Sequence, residues 1–87
     1  MYFVYILHSE TTGRHYVGYT SHLQHRLGQH NHGLTKSTKN RGPWTLAHHE
    51  AFDTRTEAIA RERFLKSGQG RQQLKELLTR AKLSPSG

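Results

Sequence analysis

The chain reads as an α+β domain, a three-stranded antiparallel sheet flanked by three helices in the order β-β-α-β-α-α. Three features point there. Two β-branched and aromatic runs, "YFVYILH" at 2–8 and "HYVGYT" at 15–20, stand either side of a turn through Gly13 and so make a hairpin. A third such run, "WTLAHHEAF" at 44–52, follows a helical segment and a polar loop. Beyond it the apolar residues fall at helical spacing behind a capping signature.

The elements follow in order. The first strand is apolar on both faces, which suits the middle of a sheet. Ser21 can cap a helix that runs to about His30 and stops near Gly33. Residues 33–43, "GLTKSTKNRGP", hold no bulky apolar residue except Leu34, and three cations, Lys36, Lys39 and Arg41. They read as a mobile loop able to contact phosphates. Thr54 with Glu57 three later forms a capping box, opening a helix through Lys66 that Gly68 ends. A last helix covers about 72–82. Residues 1–83 make one domain and 84–87 a flexible tail.

At 87 residues the chain can build one modest core. Thirteen Lys and Arg against six Asp and Glu give a net charge of +7, and so basic a domain most often meets nucleic acid. An anionic membrane is the competing partner. The last helix does set Leu74, Leu77 and Leu78 opposite Arg71, Lys75 and Arg80, but three leucines on one face read as core packing, so no membrane partner is expected. The absence of cysteine excludes disulfides and thiolate metal sites and fits a reducing, cytoplasmic setting. "MYFVYIL" is too short for a membrane span and lacks the basic lead of a signal peptide. The pairs His30 with His32 and His48 with His49 match no standard zinc spacing.

Three polar placements stand out. Arg26 and His30, four apart, run along the edge of the Leu23 and Leu27 stripe. Glu62 falls inside the stripe of Ala58, Ile59 and Leu65, where a carboxylate is expensive unless it is paired or holds a metal. All four tyrosines lie at or before Tyr19, and a hairpin loop with an even number of residues puts Tyr5 and Tyr16 on one face and Tyr19 on the other. Each has a plain structural explanation: Arg26 snorkelling over apolar surface, His30 as a polar residue at a helix end, Glu62 paired with Lys66, tyrosines packing in strands. Together they form a kit for phosphodiester hydrolysis. A carboxylate-bound metal polarises the phosphate, arginine stabilises added negative charge, and a phenol or imidazole takes a proton from water.

"FVY" at 3–5, ten residues, then "YVG" at 16–18 resembles the signature of the GIY-YIG nucleases. "YVGYTSHLQHRLGQH" is similar to the family's continuation, a helix bearing arginine and, four later, histidine or tyrosine. "EAIARERFLKSG" at 57–68 is similar to its later helix, where a glutamate precedes a Leu-Lys pair. The resemblance covers about residues 2–80 and is greatest to the small stand-alone bacterial members. It implies that Tyr16 activates the attacking water and Tyr5 orients that water or supports the base. It implies that Arg26 binds the scissile phosphate and His30 assists proton transfer or grips the phosphate. Glu62 would be the sole protein ligand of one divalent metal ion, magnesium or manganese, and Gly18 would allow close approach of the backbone. Two departures matter: "FVY" replaces Gly-Ile-Tyr, and the late asparagine of larger members has no counterpart after residue 68.

The remaining carboxylates agree with a one-metal scheme, because Glu10, Glu50, Asp53, Glu57 and Glu76 fall in turns, a strand, helix starts or the last helix. The expected activity is that of a metal-dependent endonuclease on DNA, structured or single-stranded. Lys36, Lys39, Arg41, Arg61, Arg63, Lys66 and Arg71 would track the phosphate backbone. A protein partner or second copy would help select the substrate. Two rival readings are a nucleic-acid-binding module of the same fold with little catalysis and a basic protein-interaction adaptor. The nuclease reading requires Tyr5, Tyr16, Arg26, His30 and Glu62 to converge on one concave surface, with Arg26 and Glu62 on the same side of the sheet.

Overall fold

The computed structural model describes residues 1–33, 39 and 41–83, the last three by backbone alone. It contains β1 (Tyr2–Ser9), β2 (His15–Thr20), α1 (Leu23–Asn31), β3 (Trp44–Phe52), α2 (Arg55–Lys66) and α3 (Arg71–Leu83). The sheet is antiparallel with β1 in the centre, in the order β2-β1-β3. This is the expected α+β arrangement. The expected 84–87 tail lies outside the described residues.

Side-chain alternation along β1 divides the core in two. Val4 and Ile6 point to one face and, with Val17, pack against Ala58 and Leu65 of α2 and Leu74 of α3. Leu77 and Leu78 join this cluster, so the α3 leucines are core residues. Tyr5 and Leu7 point to the other face and pack with Trp44, Tyr16, Leu46 and the α1 leucines Leu23 and Leu27. α1 therefore covers one face of the sheet, and α2 with α3 covers the other. No helix among the described residues is long and apolar enough to cross a membrane.

One irregularity lets β3 serve both faces. Its pairing with β1 shifts between Ile6 and Leu7, so that Ile6 faces His48 and Leu7 faces Leu46. Ala47 is the extra residue of a β-bulge. Trp44 and Leu46 consequently lie on the Tyr5 face, whereas Ala47 and Phe52 pack on the Val4 face.

Two caps differ in outcome. α2 opens with the expected capping box: Thr54 Oγ1 accepts from the Glu57 N–H at 3.2 Å, and Glu57 Oε1 accepts from the Thr54 N–H at 3.2 Å. α1 is not capped by Ser21. Its first residue is Leu23, so the N-cap falls on His22, which makes no side-chain cap bond. Thr20 Oγ1 instead accepts from the His22 N–H at 3.0 Å. The far end of α1 is tied down by Asn31, whose amide accepts from the Trp44 N–H at 2.7 Å and donates to the Trp44 carbonyl at 3.0 Å. That paired bond fixes α1 against the start of β3 and so fixes where Arg26 and His30 point.

Candidate active site

The hairpin register sets the site. Tyr5 pairs with Gly18 and Leu7 with Tyr16, so both phenols share the α1 face, while Tyr19 packs on the other. The ring centroids of Tyr5 and Tyr16 are 6.2 Å apart. Gly18 makes room for this: a Cβ there would stand 2.6 Å from the Tyr5 hydroxyl oxygen. The close approach at Gly18 is thus made by a phenol of the same chain.

His30 closes over the two tyrosines. Its Nε2 lies 2.9 Å from the Tyr5 hydroxyl, and its ring centroid lies 4.8 Å from that of Tyr16 and 5.7 Å from that of Tyr5. Tyr5 and His30 are each 1% exposed. Burial, then the nearby Arg26 charge, pushes the imidazole down to about 4, so His30 is neutral at pH 7. Burial pushes the Tyr5 phenol up to about 12, so it too is neutral.

Arg26 joins the same cluster one helical turn before His30. Hydrogen bonding to Tyr5 is the main influence holding its guanidinium above its ordinary value, with Tyr16 contributing as well. Arg26 Nη1 also donates to Gln29 Oε1 at 3.0 Å. A guanidinium can only donate, so the Tyr5 oxygen is the acceptor in its interaction with Arg26.

Glu62 approaches from another direction. α2 lies on the face opposite α1, so the backbones of Glu62 and Arg26 are not on one side of the sheet, as the sequence reading required. That requirement is not met; Lys66 of α2 reaches the Tyr16 ring round the edge of β2, because an edge strand has no neighbour to block long side chains from passing it. Lys66 Nζ sits 5.9 Å from the Tyr16 ring centroid, and Glu62 Oε1 lies 3.7 Å from Lys66 Nζ. The Glu62 charge is felt at the Tyr5 hydroxyl, where it opposes ionisation. One contiguous row therefore runs from Arg26 and His30 through both phenols to Lys66 and Glu62.

The Glu62 side chain is 16% exposed, so the inward placement read from the α2 stripe holds. Its pairing with Lys66 also exists, at a separation beyond hydrogen-bond length. Among the described residues no three His, Asp or Glu side chains gather to cage a metal. A single, partly buried oxygen donor beside this cluster fits a magnesium ion that takes its remaining ligands from water and phosphate. Glu50, by contrast, is occupied: Arg61 Nε and Nη2 donate to its two oxygens at 2.8 and 3.0 Å, and His48 Nε2 is 2.9 Å away. The Arg61 contact is the main cause holding the Glu50 carboxyl below its usual range.

The model of the GIY-YIG catalytic domain matches residues 1–75. The chain belongs to the GIY-YIG family. It is 43% identical over 63 residues to a UPF0213 protein of Halobacterium salinarum, covering 71% of this chain and 80% of that one. Identity to a UPF0213 protein of Staphylococcus saprophyticus is 36% over 75 residues, covering 85% of this chain and 90% of that one. The solution NMR structure of a UPF0213 protein from Bacillus halodurans superposes with a TM-score of 0.55 at 34% identity, covering 99% of this chain and all of that one. Membership places the fold in a nuclease superfamily.

Of the residues expected from the sequence, Tyr5, Tyr16, Arg26 and His30 are in direct contact or interaction, and Glu62 borders them through Lys66. The expected phosphate-tracking residues are more scattered. Lys36 lies outside the described residues; Lys39, Arg41, Arg63, Lys66 and Arg71 are exposed. Arg61 has its guanidinium committed to Glu50 and, at 2.9 Å, to Gln73. The end of the 33–43 segment is anchored, since the Arg41 carbonyl accepts from Ser9 Oγ and the Pro43 carbonyl accepts from the Glu10 N–H at 3.0 Å. Two supporting residues escaped sequence reading, Gln29 and Asn31. Gln29 had a weak signal, its spacing of three from Arg26; Asn31 had none, because its partner is thirteen residues away.

Proposed function

We propose that this GIY-YIG protein is a metal-dependent endonuclease that hydrolyses DNA phosphodiester bonds. The observation that carries the reading is the meeting of Arg26, His30 and the Glu62 field on one buried phenol, Tyr5, with the more exposed Tyr16 beside it. Such a cluster gives nothing to a plain adaptor surface.

The division of labour follows from burial and charge. To act as the base Tyr16 must be in its phenolate form, whose negative charge would lie between two cations, Arg26 and Lys66, and which becomes a neutral phenol as it takes a proton from water. Tyr5 and His30 are neutral and nearly sealed, so they support and align rather than grip an anion. Arg26 offers a fork of donors to the phosphate as charge builds up there. Glu62 would hold magnesium or manganese, which when bound polarises the phosphate and offsets its charge. The water oxygen forms a bond to phosphorus, the P–O bond to the leaving oxygen breaks, the water proton passes to the Tyr16 phenolate, and the leaving oxygen takes a proton from solvent.

The Glu62–Lys66 pair favours one rival, a binding module of the same fold in which this carboxylate serves only its helix. Incubating the protein with single-stranded, duplex and branched DNA, with and without magnesium, separates the two. Cleavage that requires magnesium and is lost in Tyr16→Phe supports the nuclease. Tight binding without cleavage under every condition supports the module.

A further inference from the structure

On the outer side of β2, next to the phenol cluster, lies a cavity of about 570 Å³. Val17, Leu65 and Leu74 form its floor, and Lys66, Arg71 and Lys75 stand round its rim. The floor residues are 5%, 1% and 7% exposed, so the floor is packed core surface. Among the described residues no carboxylate lines the cavity. Tyr16 and Lys66 belong both to this lining and to the row described above.

An apolar floor under a cationic rim complements one chemical class well. A nucleotide brings an apolar face from its base or sugar and a charged phosphate on the same small body. A bare inorganic anion would use the rim and leave the floor idle. The shared Tyr16 wall adds direction, since a strand whose phosphate sat at Tyr16 would pass over this cavity as it left.

We propose that the cavity seats the nucleotide flanking the phosphate to be cut. Its phosphate is held by Lys66, Arg71 and Lys75, and its base or sugar rests on Val17, Leu65 and Leu74. The assignment rests on the nuclease reading only for which phosphate is cut. Holding the neighbouring nucleotide out of its stack would fix the strand at Tyr16 and make the base at that position matter for affinity.

The test is an NMR titration of the full chain, without metal, using deoxyadenosine monophosphate and, separately, inorganic phosphate. The nucleotide should saturate shifts at the Val17, Ser67 and Leu74 amides, and inorganic phosphate should bind more weakly and spare Val17. The exposed double change Arg71→Ala with Lys75→Ala should raise the nucleotide Kd about tenfold, the equivalent of roughly 1.4 kcal/mol. Equal affinity and equal shifts for the two probes would overturn the proposal, as would nucleotide shifts confined to Tyr5 and His30. Because no cleavage is measured, failure here leaves the magnesium-dependent activity standing. Success without any DNA cleavage would keep the nucleotide seat and remove the nuclease reading.

Discussion

The Tyr5 hydroxyl and His30 Nε2 lie 2.9 Å apart, each on a side chain that is 1% exposed. A residue at the centre of the sheet is thereby joined to the last full turn of α1. This bond ties β1 to α1, and it makes the stability of the fold depend on the state of the imidazole.

The first prediction concerns pH. His30 has an ordinary value of 6.5 and is pushed down to about 4 in the folded protein. The unfolded chain therefore binds more protons between those values, and stability rises with pH across that window. The contribution is complete above 6.5 and is lost as pH falls through about 4, amounting to roughly 3 kcal/mol at most. Urea unfolding at stepped pH should show this slope, and His30→Gln should flatten it. Glu50, held low by Arg61, contributes stability that is complete above its ordinary value of 4.5 and is lost as pH falls through its lowered one.

Gly18→Ala should destabilise the hairpin, because the new Cβ meets the Tyr5 oxygen at 2.6 Å. Overpacking of this kind costs about 1–3 kcal/mol. Tyr5→Phe removes the nearest clashing atom, although Cζ stays at 2.8 Å, and leaves His30 Nε2 without this partner, at a cost of about 1–3 kcal/mol. The double variant should therefore lose less than the sum of the two. Additive losses in thermal unfolding would place the Gly18 constraint elsewhere.

Glu62→Gln should abolish cleavage and leave DNA binding nearly intact, since it keeps the shape and removes the metal-binding charge. The motive is a carboxylate 16% exposed within its helix stripe. Cleavage at the parental rate in magnesium would reduce Glu62 to the partner of Lys66.

Arg26→Ala should lower kcat by roughly 10²-fold or more if the guanidinium stabilises charge developing on phosphate. Arg26→Lys should restore little, because a point charge does not reproduce the forked contact to phosphate and to the phenols. Full activity in the lysine variant would show that positive charge alone suffices.

Lys39 and Arg41 are exposed on the segment before β3. If each meets one DNA phosphate, replacing both by alanine should flatten the slope of log K against log salt by about 2 units. An unchanged slope would move the backbone track toward Arg63, Lys66 and Arg71.

Local chemistry was enough to read the strand spans, the Thr54–Glu57 cap and the common face of Tyr5 and Tyr16. Strand parity, capping geometry and turn residues act over a few positions, and those positions are adjacent in the sequence. The inward turn of Glu62 was legible for the same reason, from the spacing of Ala58, Ile59 and Leu65. Tertiary structure alone decided the rest. The Ala47 bulge divides β3 between two faces, and it depends on how β1 and β3 settle against separate cores. Asn31 and Trp44, like Arg61 and Glu50, are partners that only folding brings together. The neutrality of His30 arises from burial and from a guanidinium one turn away, neither of which spacing reveals. The separation of Glu62 from Arg26 was likewise a tertiary matter: their helices cover opposite faces, and Lys66 of α2 reaches Tyr16 by passing β2, the sheet's open edge.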